Sequence, residues 1–318
     1  MTNDLSAFAT AHWQDMTSPM DLDNGIHPAF CIDDWEIDTT PKLKAKFKNN
    51  SAFACRLATK LLTTQSLEDF WLHIMAASKK YDQMTGISVL EKCPIAEYNA
   101  MVNPSRAQLE TYTHDLKFSV RDLGGGRWGL TSTASPSLVK GLIPNTVVVG
   151  TPMTLAWSPA FSKEAYQLQL ALIMVHEFAH AIGHSFHPYT LLGETDTEPL
   201  HSASDPVPEM GHSWETWLLG GKIPKMSKIG ILGGPSCWRV KELSPIRTAE
   251  GAKQIHAHLS GKARADYPYP WEVPGGLQNM KTMLRLLSKG TWAEIEVKGR
   301  QWFQDEKALL RSKFEEYQ

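Results

Sequence analysis

The chain has 318 residues, 42% of them hydrophobic and 21% charged, with a formal net charge of −2. That is the composition of an ordinary globular protein, long enough to bury a sizeable core without disulfides or structural metals. Its near-neutral charge gives no reason to expect nucleic acid or an anionic membrane as partner.

Cys31, Cys55, Cys93 and Cys237 stand singly, with no CxxC spacing to suggest a zinc knuckle or a redox dithiol. No stretch approaches ~18 uninterrupted apolar residues, so no membrane span is expected. The start, MTNDLSAFATAHWQDM, has neither the basic region nor the apolar run of a secretory signal, and a cytoplasmic protein with reduced thiols is expected. Residues 1 to about 50, rich in Pro, Asp and Thr, read as an irregular arm over the surface.

Helical patterning begins at Ser51, where Phe53, Leu57, Leu61 and Leu62 mark an apolar stripe. Ser66 opens SLEDFWLHIMAASKKY, with Asp69 in the first turn, lysines in the last, and Phe70, Ile74 and Ala77 on one face. HDLKFSVRDLGGGRWGLTSTA reads as two short strands around a turn at Gly124 to Gly126, which lacks the residue order of a phosphate-binding loop. The β-branched run Thr146 to Val149 is the best strand that follows. A long helix is expected from near Ser162 to about Gly183, then a loop with several acids to about Pro208. A short helix through Glu215 should stop at Gly220-Gly221. The C-terminal third reads as mainly helical, broken at YPYPWEVPGG, with a final amphipathic helix from about Trp292. Strands and helices do not alternate regularly, which predicts an α+β fold. Its parts are an irregular arm and helical region (1–110), a metal-binding core (111–235) and a helical C-terminal region (236–318).

The stretch that carries chemistry is VHEFAHAIGHSFHP, Val175 to Pro188. His176 and His180 lie four apart, one turn above each other on one helix face, and can offer two imidazoles to one metal. Glu177 is turned about 100° away, placed to accept a proton from a metal-activated water. The preceding QLQLALIMV buries this helix, and buried histidines need polar partners, of which a metal is one.

The segment resembles the active-site helix of the zincin metallopeptidases, and HEFAHAIG is especially similar to the matrix-metalloprotease branch of the metzincins. The likeness covers about fifteen residues. It implies a zincin-like core with a twisted, mainly antiparallel sheet, a Zn2+ cofactor, His176 and His180 as ligands, and Glu177 as catalytic base. It also implies that the strand near Thr146 to Val149 could be the edge that pairs with an extended substrate.

The third ligand is less direct. A metzincin needs a histidine six residues after His180, where Phe186 stands; His187 comes one place late, ahead of Pro188. Met210 or Met226 would have to supply the methionine turn. His184 continues the helical row, but the outer two of three such histidines stand about 12 Å apart along the axis. Gluzincins instead take a glutamate from a downstream helix, and DPVPEMGHSWETWLLGG offers one. Glu215, among Trp214, Trp217, Leu218 and Leu219, is a carboxylate in apolar surroundings that needs a cation. The interval from His180 is longer than in the thermolysin pattern, and no Glu-x-x-x-Asp form is present. Glu209, six residues earlier and about −120° around a helix, is the competitor. Glu215 is the expected third ligand; Glu209, His187 and His201 remain open.

Tyr189, His201 and His212 are considered as oxyanion donors, each with packing as the plainer role. Glu194, Asp196, Glu198 and Asp205 read as a solvated acidic loop rather than a second cation site, His256 and His258 as helical residues that face different directions, and the cluster Tyr267, Tyr269, Trp271 as a packed loop. The expected function is a zinc-dependent hydrolase acting on peptide or amide bonds. A zincin scaffold acting on a small molecule, or a structural zinc closed by His184, His187 or His212, are the alternatives.

Overall fold

A computed structural model describes residues 20–37, 41–83, 87–112, 116–121, 129–133, 145–150, 163–187, 198–205, 208–220, 237–243, 272–306 and 308. The N-terminal part is not a surface arm where it is described. Leu22, Ala29, Phe30, Ile32 and Trp35 enter the core, and helix α1 (Pro41–Thr63) begins ten residues ahead of the expected Ser51. Strand β1 (Glu36–Ile37) precedes it. Helix α2 (Asp69–Ala76) buries Phe70, Trp71, Leu72, Ile74 and Met75. The predicted helix does not continue through the lysines: Ser78–Asp82 is strand β2, paired antiparallel to β3 (Ile87–Glu91). A tertiary pairing outweighs the local helical preference there. Helix α3 (Ile95–Thr111) follows.

Strands β4 (Leu116–Arg121), β5 (Gly129–Thr133) and β6 (Asn145–Gly150) occur near the expected places but are connected differently. No hairpin joins β4 to β5, because β6 lies between them in a sheet of order β1-β4-β6-β5. The β1/β4 and β4/β6 pairings are parallel and only β6/β5 is antiparallel, so this sheet is mixed rather than mainly antiparallel. Thr146 to Val149 is therefore an inner strand, with β1 and β5 outermost among the described residues.

Helix α4 (Lys163–Phe186) packs on β5, β6, α1 and α2. Its apolar residues from Leu168 to Ile182 are almost all buried, as the run ahead of His176 predicts. Gln167 ties it to α1: its Oε1 accepts from the Ala54 N–H (2.6 Å) and its Nε2 donates to the Asn50 carbonyl. These are the two peptide groups that an uninterrupted helix joins to each other. Behind the histidines, Phe178 meets Trp71 edge-on at 5.7 Å, and Trp71 stacks on Trp214 at 6.4 Å. Trp214 belongs to helix α5 (Met210–Leu219), which ends as predicted at Gly220, in left-handed backbone at φ 78°.

Near the C-terminus the chain is not simply helical. Strand β7 (Cys237–Leu243) pairs antiparallel with β8 (Glu272–Asn279), which overlaps the predicted break. Helices α6 (Met280–Arg285) and α7 (Lys289–Lys298) follow, and residues 300–306 are helical again. One apolar cluster runs from Leu22 to Phe303. The protein thus mixes helices with small sheets, as an α+β class expects. No helix among the described residues is long and apolar enough to cross a membrane.

Candidate metal centre

Helix periodicity brings His176 and His180 to one face of α4, and their inner nitrogens converge: Nε2 to Nε2 is 3.4 Å. A carboxylate oxygen completes the triangle, and it belongs to Glu209. Its Oε1 lies 3.2 Å from His176 Nε2 and 2.8 Å from His180 Nε2. Glu209 is not within helix α5 but is its N-cap, with extended backbone at φ −152°. Its other oxygen accepts the His212 N–H, an N-terminal donor with no partner inside the helix. The cap thus fixes the carboxylate while Oε1 faces the histidines.

Glu215 takes a different position from the expected one. Its Oε1 sits 2.8 Å from His176 Nδ1, on the outer side of the ring. His180 has the matching arrangement, with Glu198 Oε1 2.7 Å from its Nδ1. The second oxygen of Glu198 accepts the Met210 N–H at 2.7 Å, which ties the start of α5 to the same carboxylate. Glu198 is held by its neighbours: Leu200 bridges to β3, its N–H donating to the Ser88 carbonyl and its carbonyl accepting from the Leu90 N–H. The expected solvated loop is therefore a docked strap at this point, with Glu198 only 7% exposed.

Two glycines permit the close approach of α4 and α5. A Cβ on Gly211 would lie 2.5 Å from both Cδ2 and Cε1 of His176 and closer still to Nε2. Gly183, the glycine of HEFAHAIG, has the Met210 side chain 3.4 Å from where its Cβ would be, and Met210 is fully buried against it.

The electrostatics follow from three buried carboxylates around two imidazoles. Burial alone would strip the proton from His176, but Glu209 and Glu215 on either side raise its pKa to about 10. His180 is treated alike by Glu198 and Glu209, and its pKa rises well above the usual value. The carboxylates move the other way. Burial opposes ionisation of Glu215, yet His176 holds its pKa down to about 2; Glu209 and Glu198 are also lowered, chiefly by the histidines facing them. The cluster thus demands positive charge, which protons or a cation can provide. Two imidazoles and a carboxylate meeting at 2.8–3.4 Å are a donor set that fits a divalent metal with nitrogen preference.

His212 borders the same place. Its ring is 5.1 Å from that of His176, and its Nδ1 lies 3.6 Å from Glu209 Oε2 and 3.4 Å from Glu215 Oε2. His176, Glu209 and His212 form a second possible three-donor group within 4.8 Å, sharing two members with the first. The tighter set includes His180, whose inner nitrogen touches both other donors. Glu177 follows His176 and is buried.

The other histidines considered as ligands are engaged elsewhere. His187 Nε2 is 2.6 Å from the Ile74 carbonyl, and His201 Nε2 is 3.3 Å from that of Phe70 while its ring stacks on Phe70 at 4.2 Å. Both thus bond carbonyls of α2, and burial, with His73 beside it, pushes the pKa of His201 down to about 3. His184 Nε2 lies 3.6 Å from Glu198 Oε1, behind the converging pair. Asp205 is used locally, bonding the Ser202 hydroxyl at 3.0 Å. Tyr189, Glu194, Asp196, Gly124 to Gly126, Met226, His256, His258, Tyr267, Tyr269 and Trp271 lie outside the described residues.

Gly211 was not singled out at the sequence level, and Glu198 was read only as part of a solvated loop. A glycine inside a short, strongly apolar helix is a signal of close approach, because it costs about 1 kcal/mol against alanine without some packing reason. No local pattern marks Glu198. No protein-family model, curated protein or solved structure matches this chain.

Proposed function

We propose that the protein is a zinc-dependent hydrolase of the zincin type, with His176, His180 and Glu209 as the metal ligands and Glu177 as the general base. The observation that carries this reading is the convergence of two Nε2 atoms and Glu209 Oε1, with each outer Nδ1 held by a separate buried carboxylate. Glu209 replaces Glu215 in the proposed ligand set because it faces the inner nitrogens of both histidines. Zinc held there would supply a water acidified towards pKa ~7 and would polarise a carbonyl.

The chain's own residues account for the rest. Glu215 and Glu198 accept the two Nδ1–H protons, so both rings turn Nε2 inward as a lone-pair donor of raised basicity. A divalent cation in place of the two imidazole protons leaves the total charge unchanged, so uptake is a proton exchange. Glu177 accepts the proton of the attacking water on its carboxylate and returns it to the leaving group. Strand β5, beside α4 and outermost in the sheet among the described residues, suits an extended peptide better than a compact small molecule.

The test is zinc content by elemental mass spectrometry for wild type, Glu209→Ala and Glu215→Ala, with peptide and small-amide hydrolysis followed alongside. Near one zinc per wild-type chain, lost in Glu209→Ala and only weakened in Glu215→Ala, supports the assignment. The reverse order returns the ligand role to Glu215, and a wild type that takes up no metal from supplied zinc ends the reading. The position of His212 favours one alternative, a structural zinc closed by four protein ligands. X-ray absorption showing four protein donors, with no hydrolysis, would select it.

A further inference from the structure

At the C-terminal end of helix α5, away from the metal centre, lies a cavity of about 320 Å³. One side is apolar: Leu218, Leu219 and Phe303 are buried side chains, and Trp217 is half-buried. Arg300 and Gln304, both exposed, supply the polar side, where the cavity opens to solvent. The Arg300 guanidinium lies 5.4 Å from the centroid of the Trp217 ring. Gly299 sets this geometry, turning the chain out of α7 at φ +57°, where a Cβ would meet the Ser66 carbonyl at 2.8 Å.

Arg300 has no acidic partner among the described residues. Partial burial lowers its pKa, and no carboxylate among the described residues counters the effect. A guanidinium presents its donors in a planar fork matched to a carboxylate. Here that fork borders a half-open cavity whose other side is lined by apolar side chains.

We propose that this cavity binds a carboxylate carried on an apolar body, with the carboxylate on Arg300 and the body against Trp217, Leu218 and Phe303. The carrier is a free medium-chain or aryl-alkyl acid, or the C-terminus of a peptide ending in an apolar residue; the recognising chemistry is the same. The site is independent of the metal assignment, since no residue is shared with it.

The full chain, 15N-labelled at tryptophan, is titrated with octanoate, 3-phenylpropionate and an acetylated dipeptide ending in phenylalanine. Octanol and octylamine serve as uncharged and cationic controls. Trp217→Phe assigns the Trp217 indole resonance, so binding at a metal is read separately. That resonance is expected to shift saturably with a carboxylate, at a Kd of about 1 mM or below. Arg300→Gln should weaken binding about tenfold or more, with Arg300→Lys between the two. A larger effect for octanoate than for the dipeptide assigns the site to free acids, and the reverse to peptide termini. No shift at roughly ten times that concentration, equal binding by octanol or octylamine, or unchanged binding in a folded Arg300→Gln would overturn the proposal.

Discussion

Substituting Gly211 by alanine tests the packing of the proposed metal centre most directly, because the expected sign is the opposite of the usual one. Within a helix, Gly→Ala ordinarily stabilises by about 0.4–1 kcal/mol, through reduced freedom of the unfolded chain. At Gly211 the added methyl lies 2.5 Å from two ring carbons of His176, about 1 Å inside ordinary contact. The ring has little room to retreat, since Glu215 holds its Nδ1 at 2.8 Å and Glu209 lies 3.2 Å from its Nε2. Nor is α5 free to withdraw, with Met210 packed on Gly183 and Trp214 stacked on Trp71. Relief by about 1 Å breaks the Glu215 hydrogen bond or the donor triangle. Gly211→Ala should thus cost about 1–3 kcal/mol by overpacking and weaken zinc binding by about a hundredfold. Urea denaturation of the chelator-treated protein reads the first quantity, and zinc competition with a fluorescent chelator the second. In a His176→Ala background the same alanine has nothing to strike and should regain its stabilising sign. If Gly211→Ala keeps wild-type zinc affinity, or destabilises equally without the imidazole, the close approach of α5 to His176 is wrong.

Further outcomes follow from the same geometry. Glu198→Ala leaves the Met210 N–H and His180 Nδ1 without their buried acceptor, and should cost about 1–3 kcal/mol; zinc affinity should fall about 10–100-fold in the competition assay. Glu177→Gln should retain full zinc by mass spectrometry while hydrolysis falls by about 10²–10⁴; loss of zinc, or retained activity, removes Glu177 as the base. The buried His176–Glu215 pair sets a pH window in chelator-treated protein. The raised His176 contributes fully below its ordinary pKa of 6.5, and its share is lost as pH climbs through about 10. The lowered Glu215 contributes fully above 4.5, and its share is lost as pH falls through about 2. The urea midpoint should accordingly decline from pH 6.5 towards 10 more steeply in wild type than in Glu215→Gln, and equal slopes would refute the pairing.

Much of this centre is visible in the sequence, and the part that is not has identifiable reasons. Helix α4 is legible because a long apolar run and an i, i+4 histidine pair agree on one period, and Gly220 stops α5 where glycine chemistry says it should. Choosing between Glu209 and Glu215 failed to anticipate the geometry because both were placed on one continuous helix. Glu209 is a cap in extended backbone, so a helical-wheel angle does not apply to it. Glu198 acquires its place from a single parallel bridge at Leu200, a contact between segments more than a hundred residues apart, which no local periodicity encodes. The interposition of β6 between β4 and β5 has the same origin. Strand existence follows from side-chain type, whereas partner and direction come from the rest of the fold.

The converging donors and the carboxylates behind them come from a short piece of chain: His176 and Glu215 are 39 residues apart. The apolar cluster that encloses them draws on residues from Leu22 to Phe303. Closing the shorter loop costs about 3 kcal/mol of chain entropy, about 2 kcal/mol less than closing the longer span. The chemical centre is thus a low-contact-order element inside a high-contact-order scaffold. Its donors can meet before the termini dock, and a cation captured then would favour the native docking of α5 on α4 by mass action instead of arriving at a finished pocket.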